Sequence, residues 1–299
     1  MEPGAPGASG ATAAGAVSAP PAEHGFRSDL FADLGLPPPS PARGPDGRPG
    51  PAYWQNTADY RIEARILPDE RAVEGDLVLR YTNSAPHELD FLWFDLPQNA
   101  FRTGSRADRV LPPTDRFDAP IGDGLGFEIG PVFQDGQELA PRIDDTRMRL
   151  DLNAPLPPGG VATIEIAFRF RVPTPGGQRM GILETAAGEE VWQIAQWFPQ
   201  VVRFDDVRGW NTLPYLGFGE FYTDFGEYEV ALTVPEGWIV AATGELENPH
   251  EVLTPAQQEA LAEALQADGP VPVIAPEEAG GTGSGVNLGG GAADGRRGG

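Results

Sequence analysis

From Val161 to Val172 the residues Ala162, Ile164, Ile166, Phe168, Phe170 and Val172 alternate with Thr163, Glu165, Arg169 and Arg171. A strand turns successive side chains to opposite faces, whereas a helix would spread these apolar residues around its whole circumference. The run reads as a half-buried strand, so any fold for this chain has to supply a sheet for it. Tyr60 to Leu67 (YRIEARIL) has the same period, with Tyr60, Ile62, Ala64 and Ile66 against Arg61, Glu63 and Arg65. Val73 to Tyr81 repeats it, with Leu77, Leu79 and Tyr81 opposed to Asp76 and Arg80. Glu88 to Leu96 (ELDFLWFDL) is apolar on both faces and suits a strand covered on both sides. Further candidates are Leu125 to Gln134, Thr146 to Leu152, Phe218 to Phe225, Glu227 to Val234 and Trp238 to Leu246. About ten strands separated by Pro, Gly and Asp clusters, with nothing helical among them, predict an all-β sandwich or a curved, saddle-like sheet.

The ends have a different texture. Residues 1–50 are rich in Ala, Gly, Pro and Ser and cannot bury enough apolar surface to offset chain entropy, so they read as a disordered leader. Within it, Phe26, Leu30, Phe31 and Leu34 stand at helical spacing with Ser28 as a cap. The β region spans 51–249. The first convincing helix follows, at Thr254 to Gln266 (TPAQQEALAEALQ). There Thr254 caps, Pro255 occupies the first turn and Gln257 completes a capping box. Residues 250–278 read as a linker carrying this helix, and 279–299 as a flexible Gly-rich tail. The glycines of that tail have G-x-G spacing but no helix after them, which leaves no phosphate-binding loop.

Composition removes several chemistries. The net charge of −23 disfavours nucleic acid and anionic membranes, which need clustered positive charge. All basic residues other than three histidines are arginines, which excludes Schiff-base chemistry and the phosphate-binding lysine of a Walker loop. The absence of cysteine excludes thiol nucleophiles, disulfides and thiolate metal sites. No stretch approaches a membrane-spanning length, and the N-terminal residues lack the basic and apolar regions of a signal peptide. Cytoplasmic residence is the default expectation, with secretion open if a leader is missing.

Candidate constellations are few. His250-Glu251-Val252-Leu253-Thr254 approaches H-E-x-x-H but has threonine in place of the second histidine. His24 falls in the leader and His87 in a turn, so no metal site is expected. Asp205-Asp206, Asp144-Asp145 and Glu189-Glu190 are carboxylate pairs of the type used in glycoside hydrolysis, though in a chain with 44 acidic residues such pairs arise by chance. No G-x-S-x-G elbow occurs. Aromatic residues crowd between Trp192 and Phe225, among them Trp197, Phe198, Phe204, Trp210, Tyr215 and Tyr222. Such density serves either a core or interface, or a sugar- or peptide-binding surface.

Several ordered motifs together resemble the N-terminal β domain of the aminopeptidase N-like zinc metallopeptidases. They are Tyr53-Trp54-Gln55 before the first strand, Gly75 to Asn83 (GDLVLRYTN), Leu89 to Arg102 (LDFLWFDLPQNAFR), Trp197-Phe198-Pro199, Asp205-Asp206 with Gly209-Trp210, Gly217 to Tyr222, Val234-Pro235 and Gly244-Glu245-Leu246. The resemblance covers about Tyr53 to Glu278. It implies a substrate-side domain that packs against a zinc-bearing catalytic domain and lends one polar side chain to the pocket for the substrate's free amino group. Gln193 and Gln196, just ahead of Trp197-Phe198-Pro199, are the nearest matches for that role, and ordinary polar strand positions are the alternative. The family's G-x-M-E-N and H-E-x-x-H motifs and its downstream tyrosine are absent from this sequence. The expectation is therefore a truncated chain, with no catalytic residue and no cofactor of its own, whose partners are the missing catalytic domain and, through it, a peptide. A stand-alone β-sandwich module binding peptide or glycan is the second reading.

Overall fold

Alternating side chains become a two-sheet architecture because each amphipathic strand must hide one face, and two sheets laid face to face hide both sets at once. The computed structural model describes residues 39–110, 122–174, 176, 179–186, 188–216, 221–275 and 286–288. In chain order the strands are β1 (Thr57–Leu67), β2 (Ala72–Thr82), β3 (Leu89–Asp95), β4 (Gly126–Gln134), β5 (Gln137–Leu139), β6 (Arg142–Asp144), β7 (Arg147–Leu156) and β8 (Val161–Arg171). They continue with β9 (Gly181–Glu184), β10 (Glu190–Gln193), β11 (Gln200–Val201), β12 (Phe204–Asp205), β13 (Gly209–Trp210), β14 (Tyr228–Thr233), β15 (Ile239–Ala241) and β16 (Val286–Leu288). The helices are α1 (Arg106–Val110), α2 (Pro249–Val252) and α3 (Pro255–Ala264). The fold is all-β with short helices, as the alternation predicts.

The larger sheet runs β14-β1-β2-β8-β4-β5 and the smaller β11-β3-β7-β6. β2 pairs antiparallel with β1 and with β8, in register from Thr57↔Thr82 to Leu67↔Ala72 and from Ala72↔Arg171 to Thr82↔Val161. β14 joins the other side of β1 in parallel, Tyr60↔Tyr228 through Arg65↔Thr233. Ile62, Leu77, Leu79, Ile164, Ile166 and Phe170 of the larger sheet and Leu92, Phe94, Met148 and Leu150 of the smaller one share one buried cluster. Phe127 of β4 meets Phe170 and Phe168 edge-on, at centroid distances of 5.4 and 6.0 Å.

Several local expectations change. The strand expected over Phe218 to Phe225 does not form among its described residues. They give one isolated bridge, Thr57↔Phe225, because the chain there turns Asp224 into the interior, and continuous pairing with β1 begins only at Tyr228. Trp238 to Leu246 shortens to β15, stopped before Gly244, whose φ of 105° leaves the strand conformation. Between the strands, 3₁₀ turns occupy Pro68–Glu70 and Pro97–Phe101, and α1 follows. Both 3₁₀ turns begin at a proline, where the missing N–H leaves no orphan donor. Pro39 to Gly50, read within the leader, contains the bridge Arg43↔Pro49, and Arg43 pairs with Asp206 of the β domain. The helical spacing at Phe26 to Leu36 lies outside the described residues, and β16, within the stretch read as a tail, pairs in parallel with β15.

Candidate functional site

β9 and β10 form a hairpin apart from the two main sheets, with Gly181↔Gln193 at its base and Leu183↔Val191 further out. Gln193 is exposed at the end of β10. Beyond it the chain turns through Ile194 and Ala195 to Gln196, which is half-buried and has a φ of 47°. That left-handed conformation costs a residue with a Cβ about 1–2 kcal/mol. Neighbours hold it there. The amide of Gln98 donates to the carbonyls of both Ala195 and Gln196, at 3.1 and 2.9 Å. Gln98 lies on the Pro97–Phe101 turn and is 1% exposed, and its Oε1 is buried without a hydrogen-bond partner among the described residues. Downstream, Phe198 is driven into the core beside Tyr60 at 5.5 Å and Trp197 at 5.1 Å. Gln193 and Gln196 therefore sit on one segment, the first on an open strand end and the second in a turn clamped from both sides.

The aromatic crowd resolves mainly into packing. Tyr60 stacks on Tyr228 at 5.0 Å, Trp54 on Phe204 at 5.5 Å, and Phe204 lies 5.0 Å from Trp210. Trp192 meets Trp238 edge-on at 5.4 Å. Tyr222 and Phe225 remain exposed, Phe225 at 73%. The carboxylate pairs are likewise engaged by structure. Asp206 receives Arg43 through two hydrogen bonds of 2.8 and 2.9 Å, and Asp205 accepts from the Val207 and Arg208 amides and from the Tyr222 hydroxyl. Asp144 pairs with Arg106, Asp145 accepts the Arg106 amide, and Glu190 pairs with Arg71.

Zinc, which the resemblance implies, does not fit the described residues. No group of three or more His, Cys, Asp or Glu lies together among them. On α2 the His250 ring contacts Gln258 Oε1 at 3.0 Å, and Glu251 accepts from Asn248 at 3.0 Å. His24 is outside the described residues.

Sequence reading passed over a buried polar network. Arg203 and Asp224 are 5% and 4% exposed, and Arg203 Nη1 lies 3.4 Å from Asp224 Oδ1. Burial pushes the Asp224 carboxyl up to about 7, against the pull of Arg203 and with a smaller push from Asp205. The Tyr81 hydroxyl accepts from the Asn56 amide at 2.7 Å, and the Asn56 carbonyl oxygen accepts from the Ser84 amide. Arg147 ties Asp95 to the carbonyl of Leu213, which anchors the loop leading out of β13. No spacing in the sequence marks these partners, since each joins segments far apart along the chain.

No protein-family profile matches the chain, and no curated protein matches it. Among solved structures it is similar to an M1 zinc metallopeptidase from Deinococcus radiodurans, with 13% identity over 62% of this chain and 34% of that one and a TM-score of 0.33. It is also similar to leukotriene A4 hydrolase from Saccharomyces cerevisiae, with 14% identity over 63% of this chain and 25% of that one and a TM-score of 0.31. The chain spans about a third of the length of the first of these structures and a quarter of the second.

Proposed function

We propose that this chain is the substrate-side β domain of a zinc-dependent metallopeptidase of the aminopeptidase kind, acting with a catalytic domain that the described residues do not include. The observation that carries the reading is the clamped turn at Gln196. A half-buried glutamine held left-handed by two hydrogen bonds from a buried side chain is strain maintained by its surroundings, and such strain concentrates where a side chain or carbonyl is presented for function. Just ahead of Trp197-Phe198-Pro199, Gln196 is with Gln193 the nearest match in this chain to the residue that, by the family resemblance, receives the substrate's amino group, although the family pattern has more residues between that side chain and the Phe-Pro pair. A neutral amide oxygen there accepts from an ammonium and sets the distance at which a peptide's first residue stops, while Trp197 and Phe198 fix the turn to the core. The zinc chemistry belongs to the partner domain. The domain limits read from sequence, with β structure over 51–249 and a linker from 250 to 278, belong to the same proposal.

Two measurements test it. The chain alone, supplied with zinc and amino-acyl chromogenic substrates, is expected to give no turnover, and hydrolysis that a chelator abolishes would overturn the division of labour. Reading the coding DNA beyond the Gly299 codon in all three frames is expected to reveal H-E-x-x-H, and only unrelated sequence there would count against it. In the joined enzyme, Gln196→Ala removes one hydrogen bond to a charged amine and lowers kcat/KM by roughly tenfold to a hundredfold, mainly through KM.

A further inference from the structure

We propose that Asp224 and Arg203 form a proton-operated latch at the root of the edge strand β14, closed while Asp224 carries its proton and loosened when the proton leaves. The latch is independent of the peptidase reading. Asp224 stands immediately before the contacts that bring β14 onto β1. Ala58 donates to the Phe225 carbonyl at 3.0 Å, Tyr60 donates to the Glu227 carbonyl at 2.8 Å, and the Glu227 amide donates to Asp59 Oδ1 at 3.0 Å. The Asp224 side chain is wholly inaccessible, and neither carboxylate oxygen has a hydrogen-bond donor among the described residues.

Its one close charge is poorly placed to hold an anion. Arg203 Nη1 approaches only to 3.4 Å, its Nε is buried without a partner among the described residues, and its guanidinium lies 4.8 Å from the centre of the Tyr222 ring. Among the described residues, the other groups facing the pair are Asp205 of β12, Tyr60 of β1, Tyr81 of β2 and Tyr228 of β14. Asp205 opposes a second negative charge. The three tyrosines are shifted upward by burial and stay neutral throughout the neutral range. The Tyr60 and Tyr81 hydroxyls accept from the Val201 amide and from Asn56, and neither makes a hydrogen bond to the Asp224 carboxyl. A neutral carboxyl suits such a pocket. A carboxylate there lacks the two or three donors that stabilise a buried anion, and it gains them by letting the 221–227 stretch move out to water.

The sign follows from linkage. The closed state binds the Asp224 proton more tightly than the opened or unfolded state, so the stabilisation is complete below the ordinary carboxylate value of 3.8 and is lost as pH rises to about 7. Within that window the opening constant rises by up to about tenfold per pH unit, and it levels off above it.

Hydrogen exchange on the full chain reads this directly. After correction for intrinsic base catalysis, the opening constant of the Tyr228–Thr233 amides is expected to rise by about tenfold or more between roughly pH 5.5 and roughly pH 7.5. In Asp224→Asn, which mimics the protonated form, the rise is expected to fall below about twofold. The β2 and β8 amides should follow only the global stability. In the unaltered protein, the Asp224 carboxyl carbon resonance should titrate near neutrality. A resonance already ionised at pH 5.5, a β14 opening constant that stays flat or falls with pH, or a variant with the parent's pH profile would each overturn the latch. The resonance decides the matter if the variant does not fold.

Discussion

At the scale of single residues, close approaches decide more than propensity does. Gly226 lies where the chain arriving at β14 crosses β1. A Cβ built there would stand 1.7 Å from the Ala58 carbonyl oxygen and 2.3 Å from its carbon, both of them backbone atoms that cannot swing away. Gly226→Ala is expected to lower unfolding free energy by about 1–3 kcal/mol, read as a lower midpoint in urea with an unchanged slope. An unaffected midpoint would mean that the β14 crossing is looser than it stands here. Tyr81 makes a different point. Its ring is fully buried, but its hydroxyl is what satisfies the Asn56 amide. Tyr81→Phe keeps the shape and leaves a buried donor unpaired, so a loss of about 1–3 kcal/mol is expected from denaturant titration, more than the single hydrogen bond is worth.

Among the elements, β8 and α3 show the two ways in which a local pattern becomes structure. β8 is paired on both sides, by β2 and β4, and its inward row is nearly inaccessible, with Phe170 at 0%. Its fate is tied to the whole core, and Phe170→Ala is expected to cost about 3–5 kcal/mol. By contrast, α3 begins with the full capping box that its sequence announces. Thr254 Oγ1 accepts from the Gln257 amide at 3.3 Å, and the Gln257 side chain accepts from the Thr254 amide at 3.0 Å. Thr254→Ala is expected to cost about 1 kcal/mol and to appear as faster amide exchange confined to α3, with the β1, β2 and β8 amides unchanged. Exchange that quickened throughout would show the helix to be part of the main cooperative unit.

At the scale of the whole molecule, charge is the dominant long-range term. A net charge of −23 sets up self-repulsion that the scattered surface ion pairs of arginine with Asp or Glu offset only partly, since each such pair contributes little in water. Raising ionic strength from about 0.01 to about 0.15 M shortens the screening length from roughly 30 to roughly 8 Å and is expected to raise the thermal midpoint. A falling midpoint would show that the paired arginines outweigh the repulsion. The long strands β1, β2 and β8 were legible because their two-residue alternation is a property of the backbone itself and needs no knowledge of neighbours, whereas the edge strands β5, β6 and β11, of two or three residues, are too short to show a period. The capping box of α3 was legible for the same reason, its partners being three residues apart. At the candidate site, sequence singled out Gln193 and Gln196 ahead of Trp197-Phe198-Pro199, and the geometry of that segment was not legible. The left-handed turn at Gln196 depends on Gln98, nearly a hundred positions earlier, and Asp224 is buried against Arg203 only because β14 returns to β1 after the long excursion through the second sheet. Periodicity is local and survives in one dimension. Which carbonyl meets which amide, and which carboxyl loses its water, is settled only when two sheets close on each other and exclude solvent from whatever lies between them.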